Sequence, residues 1–304
     1  PSPTTLAESV SRFKCEGLSF EPGTRFEYNN FNYILLSYIA QKVTGVPFDR
    51  LVKANVLARA GMAHSGLDTK DRPSKNKALG YVTNPQTIEW QVAEGGDVAI
   101  ASGAGALYST TSDLYKWAQS LSTNTVLADT MLASAMKPFQ NNYGLGWMIS
   151  EKNGRTQIGH TGSIPGFIAN FMQFPKEDVT IILLANYQDT DGRRLSDDLV
   201  AVVFGEDYTL PVKKQVVALS EAVLNKYKGE YQLANGFSIT VTVEGNKLYA
   251  LAQGDQDKIE LTPESELKFF LRGPETEIEF IREGDTIKYM FVNMQGGQKF
   301  TKVR

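Results

Sequence analysis

Cysteine is almost absent from this sequence. A single residue, Cys15, stands among 304. That excludes an intrachain disulfide and any multi-cysteine metal site, and Cys15 reads as a buried or half-buried thiol ahead of a loop. Histidine is nearly as scarce. With only His64 and His160, a histidine-built zinc centre is excluded too, because such sites take three or four ligands. Neither sign of charge dominates. The formal net charge of -3 gives no electrostatic footprint for nucleic acid. Long apolar runs are also missing. The longest, Val179 to Ala185, is strand-sized and far short of the ~20 residues that cross a bilayer. The sequence therefore requires no metal, no cofactor, no nucleic acid and no membrane span. An initiator methionine and a secretory pattern are lacking as well. The chain begins at Pro1 and reads as a fragment, a processed product or a trimmed stretch, with no address in its terminus.

What is present is an ordinary globular composition, 42% apolar and 21% charged, at a length that suggests two domains. Residues 4 to 16, 31 to 44 and 48 to 60 read as helices, the last two stopped by Gly45 and Gly61. The stretch Asp68 to Gln91 is polar and loop-like. Ser109 to Asp113 caps a helix over Leu114 to Leu121, and Asp129 to Met136 is another short helix. From Tyr143 the texture changes. Tyr143 to Ile149, Thr156 to His160, Phe167 to Phe174 and Val179 to Asn186 read as strands of an antiparallel meander. Arg194 to Phe204 returns to helix. Residues 205 to 219 read as a linker and Ser220 to Tyr227 as a short helix. Beyond it, seven or eight short strands with tight turns predict a small barrel or sandwich. Its aromatic residues Tyr231, Phe237, Tyr249, Phe269, Phe270, Phe280, Tyr289 and Phe291 are spaced as core.

Two motifs carry the chemistry. Phe26-Glu27-Tyr28-Asn29-Asn30 lies in the first tenth of the chain, and Gly159-His160-Thr161-Gly162 leads into Ser163-Ile164-Pro165-Gly166. Between them run Val43-Thr44-Gly45, Ala60-Gly61-Met62, Ala101-Ser102-Gly103-Ala104-Gly105 and Tyr143-Gly144-Leu145-Gly146-Trp147, with Phe174-Pro175 after them. This ordered series resembles the serine β-lactamase and penicillin-binding-protein-like hydrolases, over residues 1 to 204. The resemblance implies an α/β (α+β) fold, a helical region plus an antiparallel sheet, followed by a barrel similar to the lipocalin-like domain of some members. The domains expected are 1–204, a linker 205–219, and 220–304.

The resemblance also implies roles. Tyr28 is the proton shuttle, Asn30 the contact to the substrate amide, and His160 the third-motif residue, completed by Thr161 and Gly162. Ser102 is expected to line the pocket. Asn30 could also cap the helix that begins at Phe31. His64 reads as a surface or capping residue at a helix exit. The nucleophile of the family sits in a Ser-x-x-Lys motif well upstream of the tyrosine, and only 27 residues precede Tyr28. The strings Ser11-Arg-Phe-Lys14 and Ser74-Lys-Asn-Lys77 fall in the wrong places and read as chance. The domain is thus expected to be cut short at its N-terminus. The expected partner is a small-molecule or peptide acyl donor, such as an ester, a D-amino-acid peptide or a β-lactam. His160 in place of lysine leans towards esterase or peptidase chemistry, and the resemblance implies a periplasmic or secreted bacterial parent. The alternative is a non-catalytic binding or scaffold protein that keeps the pocket without the serine. A missing segment would leave an open sheet edge, to be covered by a second chain or by self-association.

Overall fold

The computed structural model describes residues 5–13, 17–68, 76–84, 89–94, 98–210, 214–271, 276–293 and 297–304. Cys15 and Ser74 lie outside them. Two compact units emerge: Pro1–Tyr81 with Val92–Gln188 and Gly192–Glu206, and Val82–Gln91 with Asp189–Asp191 and Asp207–Arg304.

The first unit opens with helix α1 (Leu6–Phe13) and helix α2 (Asn30–Thr44). Gly45, at φ 70°, ends α2 and returns its N–H to Gln41 O, as a left-handed C-terminal glycine does. The helix expected over 48 to 60 is shorter and irregular. Helix α3 (Phe48–Val52) passes into a π-helical turn, Lys53–Leu57, and the chain then turns out to Gly61. Short strand β1 (Gly66–Leu67) follows, and then β2 (Tyr81–Thr83) and β3 (Trp90–Val92), most of whose residues fall in the Val82–Gln91 segment of the second unit. The last two occupy part of the stretch expected to be loop. A 3-10 segment, Val98–Ala104, leads through β4 (Leu107–Tyr108) to helices α4 (Thr111–Ser122) and α5 (Asp129–Ala135). Thr110 caps α4 by accepting from Asp113 N–H at 3.1 Å.

The sheet is an antiparallel meander, β5 (Met148–Lys152), β6 (Arg155–Ile164), β7 (Phe167–Phe174) and β8 (Val179–Ala185), in that spatial order. Asn153 and Gly154, at φ 50° and 76°, make the tight β5–β6 turn that Asn-Gly favours. Strand β5 does not reach back to Tyr143 as expected. Residues 143 to 147 form a turn, with Gly144 N–H donating to Trp147 O at 2.8 Å. Helix α6 (Gly192–Phe204) packs Val200 against Met172, Phe174 and Ile181. Leu121 of α4 meets Trp147 and Ile158.

Two apolar stripes in this unit stay exposed. Leu36, Ile39 and Val43 run along α2, and Leu195, Leu199, Val202 and Val203 along α6. Both repeat at helical spacing, so each is a coherent face.

One buried carboxylate clamps the helical region. Asp113 is fully buried. It accepts from His64 N–H at 2.6 Å, Ser65 O–H at 2.9 Å and Lys116 Nζ at 2.9 Å. Burial works to raise its pKa, but the Lys116 hydrogen bond, then those of His64 and Ser65, hold it below the usual aspartate value. A depressed folded pKa means stability that is complete above the unfolded value of ~3.9 and is lost as pH falls through the lower folded value. Asp113→Asn is therefore expected to destabilise the unit at neutral pH by about 2 kcal/mol. It should also flatten the fall in stability below pH ~3.9. Urea unfolding across pH checks both, and an unchanged acid limb would remove Asp113 as its source.

The second unit closes on itself. After helix α7 (Glu221–Leu224), eight strands follow: β9 (Gly229–Gln232), β10 (Ser238–Glu244), β11 (Lys247–Ala252), β12 (Ile259–Pro263), β13 (Lys268–Phe270), β14 (Glu277–Glu283), β15 (Thr286–Asn293) and β16 (Gln298–Lys302). They form a closed barrel in which β9 joins β16 to β10, so no sheet edge remains. Tyr231, Val241, Leu248, Leu261, Phe269, Phe280, Met290 and Phe300 fill the interior, with Leu224 and Tyr227 packed among them. Four of the expected core aromatics point outward instead: Tyr249, Phe270, Tyr289 and Phe291 are half-buried, while Phe237, at the barrel end, packs its ring against core Phe300 at 6.4 Å. Alternation puts neighbouring residues on opposite faces, and lysines cover three of the outer rings: Lys258 over Tyr249, Lys214 over Phe270 and Lys299 over Tyr289.

Candidate active site

The Tyr-x-Asn triplet spans the entry to α2: Asn29 is extended and Asn30 is the first residue of the helix. In extended backbone, residues two apart share a side. Tyr28 and Asn30 do so, and the Tyr28 O–H donates to Asn30 Oδ1 at 3.0 Å. The middle residue faces the other way. Asn29, at φ -147° and ψ 122°, caps α2 by accepting from Phe31 N–H at 2.7 Å. The capping role open to Asn30 in the sequence therefore belongs to Asn29, and the Asn30 amide is left to Tyr28.

The second motif lies on β6. The β6–β7 register pairs His160 with Phe171, Thr161 with Asn170 and Gly162 with Ala169. On the other side, β5 pairs β6 only from Arg155 to Gly159. From His160 onward, β6 runs past its neighbour. Thr161, Gly162 and Ser163 are exposed, and a Cβ built on Gly162 would meet only the Ala169 methyl, at 3.6 Å. A strand end with backbone open on one edge can hydrogen-bond an extended ligand.

The two motifs meet. The Tyr28 and His160 rings are 5.9 Å apart. A third group joins them. Tyr143 Oη is 2.9 Å from His160 Nε2, its ring stands edge-on to His160 at 5.7 Å and to Tyr28 at 5.8 Å, and it accepts from Tyr33 O–H at 3.2 Å. His160 Nδ1 is 2.7 Å from Thr161 O. Burial pushes the Tyr28 phenol above its ordinary value, with help from Tyr33. Burial pushes Tyr143 up further, aided by the Tyr33 hydrogen bond. Both phenols are therefore neutral donors at physiological pH.

Tyr33 and Tyr143 were not among the sequence's candidates, although Tyr143 lies in a segment that carries the resemblance. The signal was Tyr143-Gly-Leu-Gly-Trp147, whose glycines mark a turn. A Cβ on Gly144 would sit 2.3 Å from Ala135 O, and Gly146 has φ 82°.

Among the described residues, no hydrogen bond joins Ser102 to this cluster. Ser102 is buried in the 3-10 segment, with φ 42° and ψ -117°, a conformation that costs about 1–3 kcal/mol in a non-glycine residue. Its neighbour Gly103 presses on α2, where a Cβ would stand 2.9 Å from Tyr33 O. His64 is on the surface, its ring 3.9 Å from Asp113. Ser11 Oγ donates to Glu8 O at 2.9 Å. Among the described residues, no three His, Cys, Asp or Glu side chains cluster as metal ligands, and no helix is long and apolar enough to cross a membrane.

A helical region on an antiparallel sheet, with Tyr-x-Asn facing His-Thr-Gly, defines a penicillin-binding-protein-like hydrolase fold. The Beta-lactamase family model matches residues 2–204, and the chain belongs to that family of serine hydrolases. It is 29% identical over 309 residues to penicillin-binding protein 4* of Bacillus subtilis, covering 93% of this chain and 68% of that relative. It is 26% identical over 183 residues to the putative penicillin-binding protein PbpX of Bacillus subtilis, covering 59% of this chain and 44% of that relative. The octameric penicillin-binding protein homologue from Pyrococcus abyssi shares the fold at TM-score 0.61 and 22% identity, over 98% of this chain and 70% of that one. The D-amino acid amidase from Ochrobactrum anthropi SV3 does so at TM-score 0.54 and 24% identity, over 60% and 56%. The barrel is consistent with a lipocalin-like domain.

Proposed function

We propose that this chain supplies the substrate-binding and proton-transfer half of a serine acyl-transfer site. The observation that carries this reading is the meeting of Tyr28, Asn30 and His160 beside the open end of β6. Tyr28 is the proton shuttle and Asn30 the amide contact. Thr161 and Gly162 line the acyl chain at the strand edge, with Ser102 set deeper. The acyl donor is an ester, an amide of a D-amino acid, a D-amino-acid peptide or a β-lactam, and the bacterial envelope is the setting. The acylated serine belongs to a Ser-x-x-Lys segment outside these 304 residues, residues 1–204 being its partner and 220–304 an appended domain beyond the 205–219 linker. A second polypeptide or further copies of this chain cover the exposed stripes of α2 and α6.

Native mass spectrometry of the gene product, before and after a fluorophosphonate, tests this. The expected result is a mass increment on a serine outside these residues, in an assembly larger than one chain. A monomer starting at Pro1 that binds a D-amino-acid amide without an increment would establish the rival reading, a scaffold that retains the pocket.

A further inference from the structure

His160 has both ring nitrogens occupied. Nδ1 lies 2.7 Å from Thr161 O. A carbonyl can only accept, so Nδ1 carries the proton. In the neutral ring Nε2 then presents a lone pair, and Tyr143 Oη, 2.9 Å away, donates to it. Tyr143 in turn accepts from Tyr33 O–H at 3.2 Å. The donors therefore run one way: Tyr33 to Tyr143, Tyr143 to His160, and His160 to a backbone carbonyl.

We propose that Tyr143, backed by Tyr33, is a positioning residue that locks His160 in the Nδ1–H tautomer. The lock leaves neither imidazole nitrogen free for a ligand. Proton exchange with a bound acyl donor then falls to the Tyr28 phenol, a last step that rests on the acyl-transfer reading.

The local structure is built for the lock. Asn141 and Asn142, at φ 50° and 55°, bend the chain ahead of Tyr143. Ile149 N–H donates to Asn142 O at 2.8 Å, and Gly144 sits where no side chain fits. The Tyr143 ring is flanked by Phe26, at 5.6 Å, and by Tyr28. Two rigid aromatic neighbours and a bridge to Met148 fix where its hydroxyl points. The hydroxyl stays protonated because burial disfavours the phenolate.

The scarcity of histidine makes the test clean. In the 304-residue chain labelled with 15N-histidine, only His64 and His160 report, and His64, on the surface, serves as the reference. The spectrum is taken well above the ordinary imidazole range. The expected result is His160 with a protonated Nδ1 and a bare, hydrogen-bonded Nε2. Tyr143→Phe removes one donor and should move the tautomer ratio towards Nε2–H by about fivefold. Tyr33→Phe should move it the same way by about twofold, with the His64 signals unchanged in both. A wild-type His160 in the Nε2–H form overturns the proposal, and so does an unmoved ratio in Tyr143→Phe. Should that variant fail to fold, an unmoved ratio in Tyr33→Phe overturns it instead. Acylation is read by mass and not by these resonances. A protein that acylates with an unlocked His160 therefore removes the lock alone. A locked His160 in a native protein that never acylates removes the acyl-transfer reading alone.

Discussion

Incubated with a fluorophosphonate, a penicillin or a chromogenic ester, the 304-residue chain is expected to gain no stoichiometric mass. Its turnover should lie about 10⁶-fold below that of an assembled serine hydrolase, the scale on which removal of a nucleophile acts. The groups at the centre of the site are phenols, an amide and an imidazole. A phenol is neutral at neutral pH and both of these are shifted further up, so neither is a competent nucleophile there. The serines within the described residues that merit suspicion are poorly placed. Ser11 spends its hydrogen on Glu8 O. Ser102 is buried on a strained turn, with no hydrogen bond to the Tyr28–His160 cluster. Lys77, which completes the second Ser-x-x-Lys string, is paired with Asp68. Intact mass followed by peptide mapping reads the outcome. A stoichiometric adduct on Ser11 or Ser74 would show that this chain carries its own nucleophile.

The part of the site that was legible in the sequence is the part set by short-range geometry. Spacing of two in extended chain puts Tyr28 and Asn30 on one side, whatever lies elsewhere. His160 was legible because the residues after it carry a strand into a Pro-Gly turn, and Gly166 adopts φ 83° there. Tyr143 was not legible as a partner, because β-propensity in Tyr143 to Ile149 outvoted its two glycines. Gly144 packed against Ala135 O, together with left-handed Gly146, makes that stretch a turn. The barrel shows the same division. Alternation announced the strands and their tight turns, but a period of two defines two faces without saying which is inside. Lysines over Tyr249, Phe270 and Tyr289 settle that in the folded chain. Strand β9, only four residues long, carries little pattern of its own, and pairing with Ser238 to Val241 and with β16 defines it.

The barrel core gives the largest expected effect on stability. Phe280 is fully buried. Its ring meets Tyr227 at 4.7 Å, Phe269 at 5.3 Å and Tyr231 at 5.6 Å. Phe280→Ala removes the shared contact of three rings and leaves a cavity that a closed barrel cannot easily collapse around. A loss of about 3–5 kcal/mol is expected. In a domain of about 100 residues, that is a fall in melting temperature of roughly 12–40 °C. The hole would also reach two buried phenols. The Tyr231 O–H donates to Tyr227 O at 2.7 Å and the Tyr227 O–H to Glu266 O. Burial first, then the Glu266 charge, pushes the Tyr227 phenol up to about 12. Water admitted to the cavity would relieve that burial, so the last tyrosines to ionise in an alkaline titration should do so at a lower pH in the variant. Phe280→Leu keeps most of the volume and should cost under about 1.5 kcal/mol. Thermal unfolding followed by near-ultraviolet circular dichroism, with hydrogen exchange of the β14 and β15 amides, measures both losses, and ultraviolet absorbance against pH reads the titration. A change below about 1 kcal/mol in Phe280→Ala would mean that the ring cluster does not hold the barrel closed, and that stability resides instead in the ladder joining β9 to β16.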